Sequence, residues 1–184
     1  MAVTRYVALL RAINVGGRNP IRMADLAEVF RDAGMDDVTT YINSGNVLFR
    51  TDEPAAGLED HLEAAIDERF DNRITVVVRS LAQLSAAVSS APDLFRERPD
   101  DYYCDVAFLK APLTPAKALP VVQLRDGVDE AWAGTRALYF ARLGTERTKS
   151  KIAKLSGTPE YQLMTIRTWS TTTKLLALLD ARPD

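Results

Sequence analysis

Four stretches of this 184-residue chain carry residue types that could bind or react. The first is Asn14-Val15-Gly16-Gly17-Arg18-Asn19-Pro20. Adjacent glycines let successive backbone N–H groups point into one concavity, and such nests bind anions. Arg11 and Arg18 add positive charge, and the helix expected from about Met23 has Arg22 where a Ser, Thr, Asp or Asn cap would stand. Uncapped N–H groups at a helix start favour an anion. The run matches neither G-x-G-x-x-G nor the phosphate loop with its Lys and Ser/Thr. The second stretch is Asn43-Ser44-Gly45-Asn46, whose two carboxamides and hydroxyl could read the hydrogen-bonding edges of a ligand.

The third stretch runs from Arg142 to Lys154 and carries Arg147, Lys149, Lys151 and Lys154. On a helix expected over Thr148 to Ser156, with Ile152 and Leu155 on the buried side, the lysines could contact phosphates. The fourth is Arg167-Thr168-Trp169-Ser170 and the threonines up to Lys174, where a cation, an indole and hydroxyls could hold an anion or a sugar. A plainer role competes in every case. Paired glycines and Asn-Ser-Gly are what tight turns use, basic runs are solvated helix faces, and Trp169 could anchor a last helix that Ser170 caps. His61 has no evident nucleophile beside it, and Cys104 shares a strand face with Val106 and Phe108, as a core thiol does. Asp36-Asp37 and Asp100-Asp101 are adjacent at turns and poorly placed to flank a substrate.

The elements that must position these residues are readable. Arg5 to Asn14 is an apolar strand ending at the glycine turn. Met23, Leu26, Ala27, Phe30 and Ala33 form one helical stripe before Gly34. Val38 to Ile42 and Asn46 to Arg50 are strands joined by the Asn43–Asn46 hairpin. A helix over Ala55 to Phe70 and a strand over Ile74 to Val78 complete β-α-β-β-α-β, the ferredoxin-like order. That topology inserts the third strand between the first two and brings loop 14–20, hairpin 43–46 and turn 71–73 to one edge. Pro92 to Asp101 is polar, without a clear period.

The same order is expected again from Tyr102 to Leu109, a short helix at Leu113 to Leu119, a hairpin around Gly134, the basic helix, and a strand at Leu163 to Arg167. A last helix is expected over Ser170 to Ala181. The fold class is therefore α+β, with two ferredoxin-like halves of antiparallel sheet plus a C-terminal helix. The halves are 1–79 and 102–184, joined by a helix and connection at 80–101. No residue-level repeat is visible between them. The first strand is apolar on both faces and needs cover on both, which the second half is expected to supply on one side. That argues against an RNA-recognition sheet with open aromatics.

Composition sets further bounds. An apolar content of 47% and charged content of 26% suit a folded globule. A net charge of −2 makes the protein as a whole a poor polyanion binder and leaves only local patches. One cysteine and one histidine allow neither an internal disulfide nor a Cys/His metal site. No metal or other cofactor is expected. No apolar run has the length of a membrane span and no leader pattern is present, so a cytoplasmic location is expected, with no membrane partner.

The runs YVALLRAINVGGRNPIRMADL and TYINSGNVLF, with the late Trp169-x-Thr171-x-x-Lys174-Leu175, resemble the bacterial family called domain of unknown function 1697. The resemblance implies two α+β halves of ferredoxin-like order and no established activity. It carries over Arg11, Asn14, Gly16, Gly17, Met23, Leu26, Tyr41, Ser44, Gly45, Asn46, Arg167, Trp169 and Lys174 as motif residues. Members often have Gly where this chain has Ala12, and Asn where it has Thr168. The expected function is binding of a small-molecule or phosphate-bearing ligand at loops 14–18 and 43–46, through Arg11, Asn14, Gly16, Gly17, Arg18, Asn43, Ser44 and Asn46. Lys149, Lys151, Lys154, Arg167 and Trp169 form a possible second site. The alternatives are nucleic-acid binding through the basic helix 147–154, which is the less favoured partner class, and an enzyme acting on a phosphorylated metabolite.

Overall fold

The computed structural model describes residues 3–14 and 20–182. The first half runs β1 (Thr4–Leu10), α1 (Met23–Asp32), β2 (Asp36–Tyr41), β3 (Asn46–Thr51), α2 (Leu58–Phe70) and β4 (Val76–Ser80). Its sheet is antiparallel in the order β2-β3-β1-β4, the ferredoxin-like arrangement. β1 is central, hydrogen-bonded to β3 and β4, and Val7, Ala8, Leu9 and Leu10 are all fully buried. One face of β1, with Tyr6, Ala8 and Leu10, packs with Leu26, Phe30, Leu62 and Ile66 from the helices. Burying a Leu or Phe side chain contributes about 1.5–3 kcal/mol, so this layer fixes the helices on the sheet.

α3 (Leu81–Ser89) and α4 (Leu94–Glu97) lead to β5 (Tyr102–Leu109), α5 (Pro115–Ala118), β6 (Asp129–Ala133), β7 (Ala137–Leu143), β8 (Met164–Thr168) and α6 (Trp169–Asp180). The second sheet has the order β6-β7-β5-β8. The chain divides into two compact units, Met1–Leu84 with Leu175–Asp184, and Ser85–Lys174. The last residues therefore return to the first unit. There Arg5 donates to the carbonyls of Asp180 and Arg182, and Arg182 bonds to Asp37 and Thr39 of β2. No helix among the described residues is long and apolar enough to cross a membrane.

The stretch 92–101, polar by sequence, holds α4, and its Phe95 is 1% exposed. Phe95 meets Trp132, Tyr139 and Trp169 edge-on at centroid distances of 6.2, 5.9 and 5.3 Å. A lone aromatic in a polar run shows no periodicity, yet this one organises the second unit's aromatic core.

The strand registers expose a residue-level correspondence that the sequence hides. Leu10 N donates to Gly45 O at 2.8 Å and Leu109 N to Arg136 O at 3.0 Å, while Arg11 N–Thr75 O and Lys110 N–Leu163 O are both 2.9 Å. Ala8 then matches Ala107, and Phe49 matches Phe140. Arg79 matches Arg167, the first opposite Val7 and the second opposite Val106. Both arginines are buried, and each donates from Nη1 to the carbonyl of the preceding residue, at 2.8 and 2.9 Å. Each strand also runs into a capped helix. Ser80 and Gln83 form a reciprocal capping box. Thr168 Oγ1 accepts from Thr171 N at 3.2 Å, so the cap of α6 is Thr168 rather than Ser170.

Free sheet edges in the first unit are closed. Glu63 accepts from Val76 N at 2.8 Å and Glu59 from Val78 N at 2.9 Å, sealing β4 with carboxylates from α2. β2 is bent by a bulge, with Asp37 at φ 48°. Both devices keep an edge from pairing with another chain.

β1 ends at Leu10, short of the expected Asn14, because Ala12 (φ 52°) and Asn14 (φ 53°) leave the extended region. A left-handed residue other than glycine costs roughly 1–2 kcal/mol, a cost that Ala12 bears. Ala12→Gly is expected to stabilise by about 0.5–1 kcal/mol after the larger loss of unfolded-chain entropy. Thermal melting checks this: a rise of roughly 1–4 °C is expected for a chain of this size, and a fall would overturn the assignment of strain.

Cys104 is 9% exposed, and burial, then the neighbouring Asp105, push its thiol up from 9.0 to about 11, with Arg142 opposing. The native state thus keeps a proton that the unfolded thiol releases. This group's contribution to stability falls as pH rises from 9.0 through about 11. An aromatic disulfide reagent at pH 8 should leave the native protein unlabelled and modify its single cysteine once denaturant is added. Fast labelling of the native protein would contradict the burial.

Candidate functional site

The loops expected to converge are joined by one side chain. Asn14 Nδ2 donates to Ile21 O at 2.8 Å and to Asn43 O at 2.9 Å, and Asn14 Oδ1 accepts from Ile21 N at 2.8 Å. The Met23 sulfur lies 3.8 Å from the same Nδ2. The end of β1, the approach to α1 and the β2–β3 hairpin therefore share one carboxamide. Gly45 completes the joint. At φ 79° it occupies the left-handed region, and a Cβ there would lie 2.8 Å from atoms of Ile13 and Leu10. Only glycine lets the hairpin sit this close to the end of β1.

An open cleft of about 620 Å³ lies at this joint, lined among the described residues by Asn14, Pro20, Ile21, Arg22, Met23, Ala24 and Asn43. α1 opens onto it with Arg22 at the cap position and no side-chain cap. Arg22 is 81% exposed at its side chain and stands 3.7 Å from Asp25. Just before Asn43, the β-branched Ile42 is held at φ 50° and is 50% exposed, a conformation that needs the surrounding structure to impose it.

The expected site residues divide by what their side chains already do. Asn14 commits its carboxamide to main-chain groups. Asn46 is fully buried and donates to Tyr41 O at 2.9 Å and Ser44 Oγ at 3.0 Å. Arg11 is half-buried and gives its backbone N–H to Thr75. Asn43 is exposed, and its carboxamide has no hydrogen-bond partner among the described residues. Gly16, Gly17 and Arg18 lie outside the described residues. Sequence reasoning placed Pro20 at the end of the first candidate loop but did not single out Ile21 or Ala24; their one signal is the missing cap at Arg22.

The second candidate site does not form a basic helix. Residues 144–149, 152–157 and 159–163 are separate 3-10 turns. Ser150, at φ −57° and ψ 142°, is extended and breaks the first from the second. The buried Asp129 holds the break by accepting from Lys151 N at 2.8 Å and Arg125 N at 2.9 Å. Lys149, Lys151 and Lys154 are exposed, with Lys149 paired to Glu146. The Arg147 guanidinium lies 4.5 Å over the half-exposed Tyr103 ring. Arg167 is instead 7% exposed on β8, bonded to Thr165 Oγ1 at 2.8 Å, and burial lowers its pKa to about 10, which leaves it charged at neutral pH. Trp169 packs on Phe95, with Arg96 5.6 Å over its ring.

The cleft belongs to what distinguishes the two units. Residues 11–22 separate β1 from α1, but only residues 110–114 separate β5 from α5. Residues 42–45 join β2 to β3, against the tighter turn 134–136 between β6 and β7. Both enlargements lie at the same sheet edge, and of their described residues Asn14, Pro20, Ile21, Arg22 and Asn43 line the cleft.

A model of the family described as "Protein of unknown function (DUF1697)" matches residues 3–139, which includes both cleft loops and stops within β7. The Arg167–Lys174 stretch lies beyond that match. No curated protein matches the chain. Among solved structures, a conserved bacterial protein, SP0830 from Streptococcus pneumoniae, is 28% identical, with a TM-score of 0.84 over 97% of this chain and 99% of that one. The likeness therefore spans both units, including the part that the family match leaves out. On the family match, with its glycine loop and Asn-Ser-Gly hairpin, the chain belongs to the DUF1697 family.

Proposed function

We propose that this protein binds a small, phosphate-bearing molecule in the cleft between loop 11–22 and hairpin 42–45, and that it does so in the cytoplasm. The observation that carries the reading is the pair of enlarged loops, absent from the sister unit and clasped together by Asn14. The uncapped start of α1 and the exposed Arg22 favour an anionic group. The apolar side chains of Pro20, Ile21, Met23 and Ala24 supply contact area. The described lining holds no carboxylate, thiol, imidazole or hydroxyl side chain. Binding is therefore favoured over acid–base turnover of the same phosphorylated metabolite.

Nucleic-acid binding is the second reading. It rests on the exposed Arg147, Lys149, Lys151 and Lys154 beside Tyr103, an aromatic and cations of the kind single strands use. Affinity of that kind falls steeply with salt.

A thermal-shift panel of nucleotides, sugar phosphates and short oligonucleotides separates the two. A ligand at ~100 times its dissociation constant adds about 2.7 kcal/mol, a rise of several degrees at roughly 2–4 °C per kcal/mol. The expected result is a rise with a phosphorylated small molecule that Ala24→Trp abolishes. Ala24 is exposed, so this substitution fills the cleft without disturbing the core. No rise with any small molecule, or one indifferent to Ala24→Trp, would overturn the proposal. A rise with oligonucleotides alone, lost in high salt, would transfer it to the basic turns.

A further inference from the structure

Resting on the proposed cleft function, we infer that the ligand is a nucleotide and that Asn43 is the residue that meets its base. Among the described residues of the two loops there are three asparagines, and two are already committed to holding the protein together. Asn14 satisfies both donors and its acceptor on Ile21 and Asn43 main-chain groups. Asn46 is buried and tied to Tyr41 and Ser44. Asn43 is treated oppositely. Its backbone carbonyl is fixed by Asn14 at 2.9 Å, and its carboxamide stands exposed at the cleft with no partner among the described residues. A fixed backbone carrying an unused donor and acceptor side by side is preorganised for a ligand edge that offers the complementary pair.

The rest of the lining narrows the class. Pro20, Ile21, Met23 and Ala24 present an apolar surface next to that carboxamide, and a thioether packs well against aromatic rings. A sugar phosphate would leave this surface without a partner, and an acyl chain would leave Asn43 without one. A flat heteroaromatic ring uses both. Every nucleobase of a free nucleotide carries a donor beside an acceptor on its Watson–Crick edge, N6–H with N1 in adenine and N1–H with O6 in guanine, a pair that an Asn carboxamide meets with two hydrogen bonds. The exposed Arg22 at the rim supplies a cation for the phosphate.

The test is isothermal titration of the full chain with AMP, GMP and ribose 5-phosphate, for the unmodified protein, Asn43→Ala and Ala24→Trp. AMP and GMP are both expected to bind more tightly than ribose 5-phosphate. Asn43→Ala should weaken AMP roughly tenfold or more, in line with the discrimination a bidentate base contact provides, and leave ribose 5-phosphate unchanged. Asn43 is exposed, so an unaltered melting temperature without ligand is expected alongside. Ribose 5-phosphate binding as tightly as AMP, with Ala24→Trp abolishing both, would overturn the nucleotide assignment and keep the cleft. AMP affinity indifferent to Asn43→Ala would overturn the role of Asn43. No binding by any of the three probes would overturn the inference, and the cleft reading would then stand or fall on the wider panel.

Discussion

The Asn14 carboxamide makes three hydrogen bonds to main-chain groups of two other segments, and the polar end of the first unit depends on them. Leaving a buried main-chain group unsatisfied costs about 1–3 kcal/mol, so the three bonds together define where the chain must go. They set where Ile21 delivers the chain into α1 and how near the hairpin stands to it. The left-handed backbone at Asn14 belongs to the same device, since it departs from the strand direction immediately after the buried Ile13. Gly45 provides the steric half, because a side chain there would push the hairpin off Ile13 and Leu10. Geometry at the cleft is thus imposed by a clasp and a close contact, not by a helix or strand running through it.

The two units show how one register supports different ends. Their central strands, buried arginines and capped helices coincide position by position. They diverge at the two enlarged connections and again beyond the β-hairpin. In the first unit α2 is a full helix whose Glu59 and Glu63 reach the edge of β4. In the second, that place in the order is taken by 3-10 turns pinned by the buried Asp129. A hairpin-and-sheet frame is determined mostly by long-range strand pairing, which tolerates such exchange. The shared arginines fit this view: each bonds to the carbonyl just before it, an interaction the strand carries wherever it goes.

Much of the frame was legible in the sequence because strands and amphipathic helices leave periodic apolar signals. β-α-β-β-α-β order, the hairpin at Ser44-Gly45 and the meeting of the two loops all derive from such patterns. The basic segment misled because Ile152 and Leu155 are spaced i, i+3, which fits a 3-10 turn as well as an α-helix. Thr168, Ser170 and Thr171 all carry cap-forming hydroxyls, and only the geometry selects Thr168. Phe95 has no periodic neighbours to announce it. The division among the three asparagines was illegible for a deeper reason: whether a carboxamide is engaged or free depends on partners distant in sequence, and Asn14 finds one of its own at Asn43.

The energetics of loop 11–22 bear on why it exists. Of its described residues only Ile13 and Ile21 are buried. Fixing a residue's backbone costs roughly 1–2 kcal/mol in entropy, and Ala12 adds left-handed strain on top. The sister unit closes the same topology with the shorter connection 110–114 and the tighter hairpin turn 134–136, so the fold does not need the extra residues. Two buried isoleucines and the Asn14 bonds offset part of the cost, yet the same anchoring would cost less on a shorter loop. A longer, strained connection that the fold can do without is what stability alone would remove. Its presence opposite a hairpin enlarged at the same edge fits the proposed binding cleft, where the Asn43 carbonyl takes part in the clasp and its carboxamide makes no hydrogen bond to the described residues.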